Sequence, residues 1–379
     1  MKPASILNPL TIIGLVTILQ GCSYGQSIET KTFETFPIKE TLEHSPVQID
    51  EPITPRSIHL VENTIILIDR NSEYTIHLYD INNWKLKTVY GRRGDGPAEM
   101  RSPNFHGQAV KEGNDTYLWF SDIRNYKLKK ISLEKMLVNE STEPDLSLKL
   151  PPELALAYKD VFAVNDSEFF GTVEGDIIGL SGNENAGRFF RFKTGSEISW
   201  IPNFPIQELE VPQNKIGYLY SSRVAFNPKT QQIASGMLYF DRVDYIDILN
   251  EKVITAVQES KVDTEDVNFN GDNYLIPPSV TNYHVSAYGT ENFAYFFYSN
   301  ATNQQAIDYY DGKISSFPNL ELHVYDWKGN PVYKAELDKW ALNSFFIDED
   351  SWRLFAVDSD PEEEDQVIIS YQLPNLQNE

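Results

Sequence analysis

Residues 63–69 read Asn63-Thr-Ile-Ile-Leu-Ile-Asp69, residues 75–80 read Thr75-Ile-His-Leu-Tyr-Asp80, and residues 85–89 read Lys85-Leu-Lys-Thr-Val89. The first is a short apolar strand that ends in an aspartate, and a turn separates it from a second strand of alternating character. This pattern recurs six times along the chain, with an acidic or amide residue ending each apolar strand. The copies begin near Asn63, Asp115, Ser167, Gln232, Asn292 and Ser351, at intervals of 52, 52, 65, 60 and 59 residues.

A repeat of this size in a chain of strands predicts an all-β fold, a six-bladed β-propeller of four-stranded antiparallel blades. One such unit cannot bury both of its faces alone, so neighbouring units pack around a ring. The last unit, which ends at residues 367–373, is one strand short. We expect residues 28–36 to supply this outer strand and close the ring, because closure removes exposed strand edges. Helices are predicted only for residues 132–138 and 154–159.

The N-terminus predicts export and a lipid anchor. A weakly basic start, Met1-Lys2, precedes a short apolar core at residues 12–19, which is too short for a spanning helix and is typical of an export signal. Leu19-Gln20-Gly21-Cys22 follows, and it resembles the site at which bacterial lipoproteins are cleaved and acylated. By that resemblance Cys22, the only cysteine in the chain, carries a diacylglyceryl group and an N-acyl chain, and multiple chains give stable attachment. The alternative is an ordinary secretory signal with an accidental cysteine.

These features divide the chain into a lipoprotein signal peptide at 1–21, a tether at 22–30 and a single propeller domain at 31–375. The expected location is the bacterial cell envelope, at the outer membrane or the periplasmic face. The 379 residues carry a formal net charge of −23, which argues against nucleic acid as a partner because its phosphates would be repelled. We expect a monomer whose partners are the membrane, through Cys22, and an envelope protein or a small molecule.

One connector resembles a known family. It reads Tyr90-Gly-Arg-Arg-Gly-Asp-Gly-Pro-Ala-Glu-Met100, followed by Ser102-Pro103, and it is similar to the glycine-rich connector of NHL-type and TolB-like six-bladed propellers. Leu67-Ile-Asp-Arg-Asn71 is similar to their strand-ending aspartate and turn. Ala98 and Met100 depart from the glycine and phenylalanine of that pattern. The resemblance points to TolB-like propeller lipoproteins of Bacteroidetes, which implies a binding module and says little about the ligand.

The candidate site is one rim of the propeller, where inner strands begin and second strands end. The strand-ending residues expected on this rim are Asp69, Asp122, Glu174, Asp241, Asn300 and Asp358. Their oxygens are candidate ligands for a divalent cation such as calcium. The favoured interpretation is that they cap turns by accepting backbone hydrogen bonds, because they recur in every unit. No cofactor is therefore predicted, and calcium stays the alternative.

Basic residues of the same rim do not follow the repeat, which makes them the candidates for ligand binding. They are Arg56, Arg92, Arg93, His106, Arg223 and His284. Two interpretations stay open. Arg56 and Arg223 pair with Asp69 and Asp241 of their own blades, or the group forms a cationic pocket for a carboxylate, a sugar acid or a peptide terminus. We expect the connector at 92–101 and the insertion at 301–318 to share this face.

No catalytic motif stands out: the chain lacks the nucleophile elbow, the zinc-binding helix motif and the phosphate-binding loop. The sequence therefore favours a lipid-anchored binding or scaffolding propeller over an enzyme. The alternative is a metal-dependent, lactonase-like hydrolase with its site at the central channel, where one divalent ion activates water or a carbonyl. A sensor or assembly subunit of an envelope complex shares all of these features.

Overall fold

The computed structural model describes residues 29–51, 53–138, 143–154, 158–174, 187–201, 216–258, 268–270, 273–275, 278–314, 320–341, 344–359 and 367–377. The predicted signal peptide, Cys22 and the predicted tether as far as residue 28 lie outside this set. So do residues 315–318 of the insertion expected on the binding face.

Six four-stranded antiparallel sheets form the blades, which confirms the predicted propeller. Three strands precede the first blade: β1 (Glu29–Phe33), β2 (Ile38–Leu42) and β3 (Ser45–Val47). Blade 1 contains β4 (Pro55–Val61), β5 (Thr64–Asp69), β6 (Tyr74–Asp80) and β7 (Leu86–Arg92). Blade 2 contains β8 (Pro103–Glu112), β9 (Asp115–Asp122), β10 (Lys127–Ser132) and β11 (Leu146–Lys149). Blade 3 contains β12 (Tyr158–Asn165), β13 (Glu168–Val173), β14 (Phe189–Lys193) and β15 (Ser199–Ile201).

The second half of the chain completes the ring. Blade 4 contains β16 (Ser222–Phe226), β17 (Gln232–Met237), β18 (Arg242–Asp247) and β19 (Val253–Gln258). A two-stranded hairpin, β20 (Asn268–Asn270) and β21 (Asn273–Leu275), follows. Blade 5 contains β22 (Thr281–Gly289), β23 (Phe293–Thr302), β24 (Leu320–Asp326) and β25 (Pro331–Leu337). Blade 6 contains β26 (Phe345–Asp348), β27 (Arg353–Val357), β28 (Ile368–Gln372) and, as its outer strand, β3.

The N-terminal segment runs along the outside of three blades. β1 pairs in parallel with β19 and β2 pairs in parallel with β25, so blades 4 and 5 each gain a fifth strand. β3 pairs antiparallel with β28 and closes blade 6. The prediction that residues 28–36 close the ring was therefore wrong. The closing strand has to lead directly into the inner strand of blade 1, and only β3 is close enough to β4 along the chain. Glu29 and Thr30, which lie inside the predicted tether, already pair with Ile254 and Thr255 of β19.

The hydrophobic core consists of the layers between adjacent blades. β5 is buried along its whole length, which explains its nearly continuous apolar sequence. A cluster of Tyr295, Tyr333 and Phe345 joins blades 5 and 6, and Ile58 packs with Phe355 between blades 1 and 6. The middle strands of a blade therefore contact neighbours on both faces, and this packing fixes the inner strands around the channel.

The helices are short. α1 (Leu133–Val138) confirms the prediction for residues 132–138. The helix predicted at 154–159 was wrong: a 3₁₀ turn occupies Pro152–Leu154 and the inner strand β12 begins at Tyr158, where pairing with blade 3 overrides local propensity. Two further helices are α2 (Ile216–Leu219) and α3 (Asn303–Tyr310), the latter begun by a Thr302–Gln305 capping box. Within the described ranges no helix has the length and apolarity needed to cross a membrane.

Candidate functional site

The starts of the inner strands and the ends of the second strands lie on one rim, which we call the upper rim. Pro55 at the start of β4 pairs with Asp69 at the end of β5, and Pro103 pairs with Asp122 in the same way in blade 2. The repeat of the blades places the corresponding residues of the other units on this side. The predicted candidates therefore share a rim, but their partners differ.

Two of the strand-ending carboxylates bind backbone groups. Asp69 accepts hydrogen bonds from the backbone N–H groups of Thr54, Asn71 and Ser72 at 2.8, 2.7 and 2.8 Å. Asp122 accepts from the N–H groups of Arg101 and Ser102 at 3.1 and 3.0 Å. Both carboxylates act as turn caps.

The other strand-ending carboxylates contact side chains. Asp241 accepts a hydrogen bond from the Tyr298 hydroxyl at 3.1 Å, and Asp358 pairs with Lys339 at 2.7 Å. Asn300 adopts a left-handed φ of 51°. In the part of the chain that the structure describes, no three His, Cys, Asp or Glu side chains come together as a metal site.

Glu174 is the centre of an ion-pair cluster at the channel mouth. It pairs with Lys159, and with Arg223 at 3.1 Å, and it accepts a hydrogen bond from Ser221. Burial alone would raise the pKa of Glu174, but Arg223 and Lys159 hold it down at about 2. Arg223 therefore pairs across the blade boundary with Glu174, and its predicted pairing with Asp241 was wrong.

The two predicted histidines lie in different surroundings. His106 faces the channel, and its Nδ1 lies 2.8 Å from Asp160 Oδ1. His284 is fully buried between blades 4 and 5, with Nδ1 3.0 Å from the Met237 carbonyl oxygen. Burial lowers the pKa of His284 to about 4. Of the pair, only His106 is placed to meet a ligand.

The glycine-rich connector is held in a fixed shape by its own residues. Glu99 folds back and accepts the Gly96 N–H at 2.8 Å. A Cβ at Gly94 would lie 1.9 Å from Glu99 Oε2, so a larger residue there would displace this carboxylate from its bond with Gly96. The buried Lys129 donates to the carbonyl oxygens of Pro97 and Glu99. These contacts explain the spacing of the motif and fix the arginines that the connector carries.

Arg92 and Arg93, both predicted as ligand-binding residues, have different roles. The Arg93 guanidinium donates to four backbone carbonyl oxygens, and so it ties the connector to the turn after β5. Arg92 is exposed and pairs with Glu73 at 2.8 Å. Arg93 therefore has a structural role, whereas Arg92 stays exposed and its part in ligand binding stays a prediction.

An arginine pocket opens on the upper rim between blades 1 and 2, with a volume of about 380 Å³. The following arginines line it: Arg56, Arg70, Arg93, Arg101 and Arg124. Arg101 pairs with Asp95, and Arg56 donates to the Ser102 hydroxyl at 2.9 Å and not to Asp69, which corrects the predicted pair. The side chains of Arg70 and Arg124 make no hydrogen bond or ion pair with any described residue, and both are exposed, whereas the backbone of Arg70 bonds Thr54 and Arg93. Burial, and then the charge of Arg70, lowers the pKa of Arg56.

Sequence reasoning missed Arg70 and Arg124, although each follows a strand-ending aspartate in the same kind of turn. It also missed His59 and Asp160, which line the channel cavity, a space of about 210 Å³ beside the arginine pocket. The inner strands that carry them begin close to Arg56 and Lys159. Their position on inner strands was the available signal.

Comparison with known proteins gives the following matches. A family model described as TolB-like 6-blade propeller-like matches residues 52–350. A crystal structure of a DUF4221 family member from Bacteroides vulgatus is similar, with a TM-score of 0.55, 13% identity, and coverage of 88% of this chain and 98% of that one. A Bacteroides fragilis protein described as exported has a TM-score of 0.54, 13% identity, and coverage of 90% and 98%. At this identity the two structures show the fold alone. None of the curated proteins matches the sequence.

Proposed function

The chain belongs to the family of TolB-like six-bladed propellers, and from this premise we propose that it is a lipid-anchored binding module of the cell envelope that captures an anionic ligand at its arginine pocket. The observation that carries the proposal is the convergence of five arginines on one pocket of a protein whose formal net charge is −23.

The protein balances only part of the positive charge in the pocket, through the pair of Arg101 with Asp95. Asp69 is the acidic residue in the lining, and its carboxylate is already committed to three backbone N–H groups. Burial lowers the pKa of Arg56, and the like charge of Arg70, which lines the same pocket, lowers it further. A bound carboxylate or phosphate would relieve this repulsion and accept paired N–H bonds from the guanidinium groups.

The pocket is also preorganised. Arg93, Lys129 and Glu99 fix the connector and the neighbouring turn before any ligand arrives. A rigid frame lowers the conformational entropy that binding has to overcome. Arg70 and Arg124 are exposed, and we expect these two side chains to move and contact the bound anion.

The proposed anchor agrees with the path of the chain. β19 begins at the lower rim and ends at the upper rim, and Glu29 pairs with Ile254 near its start. The described chain therefore begins at the rim opposite the arginine pocket. An acyl group at Cys22 would hold that lower rim toward the membrane and leave the pocket facing away. The exported Bacteroides neighbour supports the same location.

Binding is tested by calorimetric titration of inorganic phosphate into the protein lacking residues 1–22. The double variant Arg70→Ala/Arg124→Ala is expected to bind phosphate at least about tenfold more weakly, because two charge-assisted hydrogen bonds are lost. Arg92→Ala is the control, since Arg92 is an exposed arginine at the end of β7 that does not line the pocket. Equal affinities for the double variant and the native protein would refute the anion site.

Anchoring is tested in a bacterial host with the full-length chain. We expect the native protein to enter the detergent phase on Triton X-114 phase separation, and Cys22→Ser to enter the aqueous phase, because the variant lacks the thiol that carries the lipid. Mass spectrometry of the native N-terminus provides the direct check. A variant that still enters the detergent phase would show that Cys22 is not the anchor.

A further inference from the structure

The channel cavity contains polar atoms that have no partner within the protein. Ser57 Oγ, both ring nitrogens of His59, and His106 Nε2 are shielded from solvent, and none has a hydrogen-bond partner in the part of the chain that is described. All three side chains line the cavity. Because a buried polar group without a partner costs stability, a cluster of such atoms around one cavity indicates a polar occupant.

Asp160 fixes the orientation of the His106 ring. Asp160 Oδ1 lies 2.8 Å from His106 Nδ1, and Asp160 Oδ2 accepts the Thr172 hydroxyl at 3.0 Å. Burial would raise the pKa of Asp160, but His106 holds it below its usual range, so the carboxylate is charged. With Nδ1 donating to Asp160, the inward-facing Nε2 accepts a hydrogen bond when the ring is neutral and donates one when the ring is protonated. A group that both donates and accepts, such as a hydroxyl, matches this atom in either state.

His59 and Ser57 add groups that both donate and accept. Burial, and then the charge of His106, lowers the pKa of His59 to about 3, so this ring is neutral at pH 7. A neutral imidazole presents one donor and one acceptor, and a serine hydroxyl presents both. Hydroxyl groups match such a lining because each of them also donates and accepts.

Arg56 connects the two spaces, because it lines both the channel cavity and the arginine pocket. The charged Asp160 disfavours an anion deep in the channel, whereas the arginines favour one at its mouth. We propose that the channel cavity holds the hydroxylated ring of an acidic sugar whose phosphate or carboxylate lies in the arginine pocket. This inference rests on the proposed anion site and adds the chemical class of the ligand.

The test compares ligands that share an anion and differ in hydroxyl groups. Glucose 6-phosphate is titrated beside inorganic phosphate, and glucuronate beside acetate, into the protein lacking residues 1–22. We expect at least one sugar to bind about tenfold or more tightly than its simple anion. If neither sugar gains over its anion while phosphate still binds, the channel inference is overturned and the anion site stands. If phosphate and acetate fail to bind, the proposed function itself is overturned.

Variants separate the two sites. Ser57→Ala and His106→Gln are expected to weaken binding of the sugar about threefold to tenfold and to leave phosphate binding unchanged, because each removes a hydrogen bond to the ring alone. His44→Gln is the matched control, since His44 forms a His–Asp pair with Asp338 at 3.0 Å on the outer surface. A crystal of the sugar complex with the ring outside the channel cavity would also overturn the inference.

Discussion

Replacing Asp244 by Asn is expected to lower the free energy of unfolding by about 3–5 kcal/mol, the usual effect of removing one partner from a buried ion pair. Asp244 is fully buried and lies 2.6 Å from Arg188, 2.9 Å from Arg242 and 2.6 Å from the Thr255 hydroxyl. Arg188, itself buried, precedes β14 of blade 3, whereas Asp244 lies on β18 of blade 4. The substitution removes the negative charge that Arg188 and Arg242 share between these blades.

Urea unfolding followed by tryptophan fluorescence measures this loss. Asp338→Asn is the control, because Asp338 and its partner His44 are both partly exposed and a surface pair contributes about 0–1 kcal/mol. Burial would raise the pKa of Asp244, but Arg188 and Arg242 hold it below its usual range. The contribution of Asp244 is therefore present at neutral pH and lost as the pH falls below the ordinary carboxyl range of about 4. Equal losses for the two variants would show that the buried network does not join the blades.

The fold was predictable because its signals are local and repeated. The apolar run of β5 is explained locally by a strand that is buried on both faces. Its final aspartate is explained by the turn that follows, which it caps. Asp69 binds the N–H groups of residues two and three positions ahead, so the sequence alone contains that arrangement. Repetition of the pattern then predicts the number of blades without any knowledge of distant contacts.

The site was predictable only as a rim. Arg93 and Arg124 both lie next to predicted turns, and the sequence alone predicts the same exposed environment for both side chains. The path of the connector brings the Arg93 side chain within hydrogen-bond distance of four carbonyl oxygens. The Arg124 side chain donates to none within the described part of the chain, and it lines the pocket. Arg223 likewise pairs with Glu174, which follows β13 of the adjacent blade 3. Such side-chain partners depend on packing between blades, and a short sequence motif does not predict that packing.

Truncation of the N-terminal segment is expected to have the largest effect on stability. A chain that begins at residue 51 lacks β3 and also Phe36 and Ile49, which are 3% and 1% exposed. Burial of each such side chain contributes about 1.5–3 kcal/mol, and blade 6 would also expose the edge of β28. Since the net stability of a domain is about 5–15 kcal/mol, we expect this chain to unfold without a cooperative thermal transition.

A chain that begins at residue 37 separates ring closure from the loss of apolar contacts. It lacks β1 and Phe36 but keeps β2 on blade 5 and β3 on blade 6. We expect it to retain a cooperative transition in differential scanning calorimetry at a reduced melting temperature, because its ring is still closed. The reference for both chains is the protein lacking residues 1–22. If the two truncated chains melted alike, the three residues of β3 would not be what holds blade 6 to the ring, and the loss would come from β1 and Phe36 on blades 4 and 5.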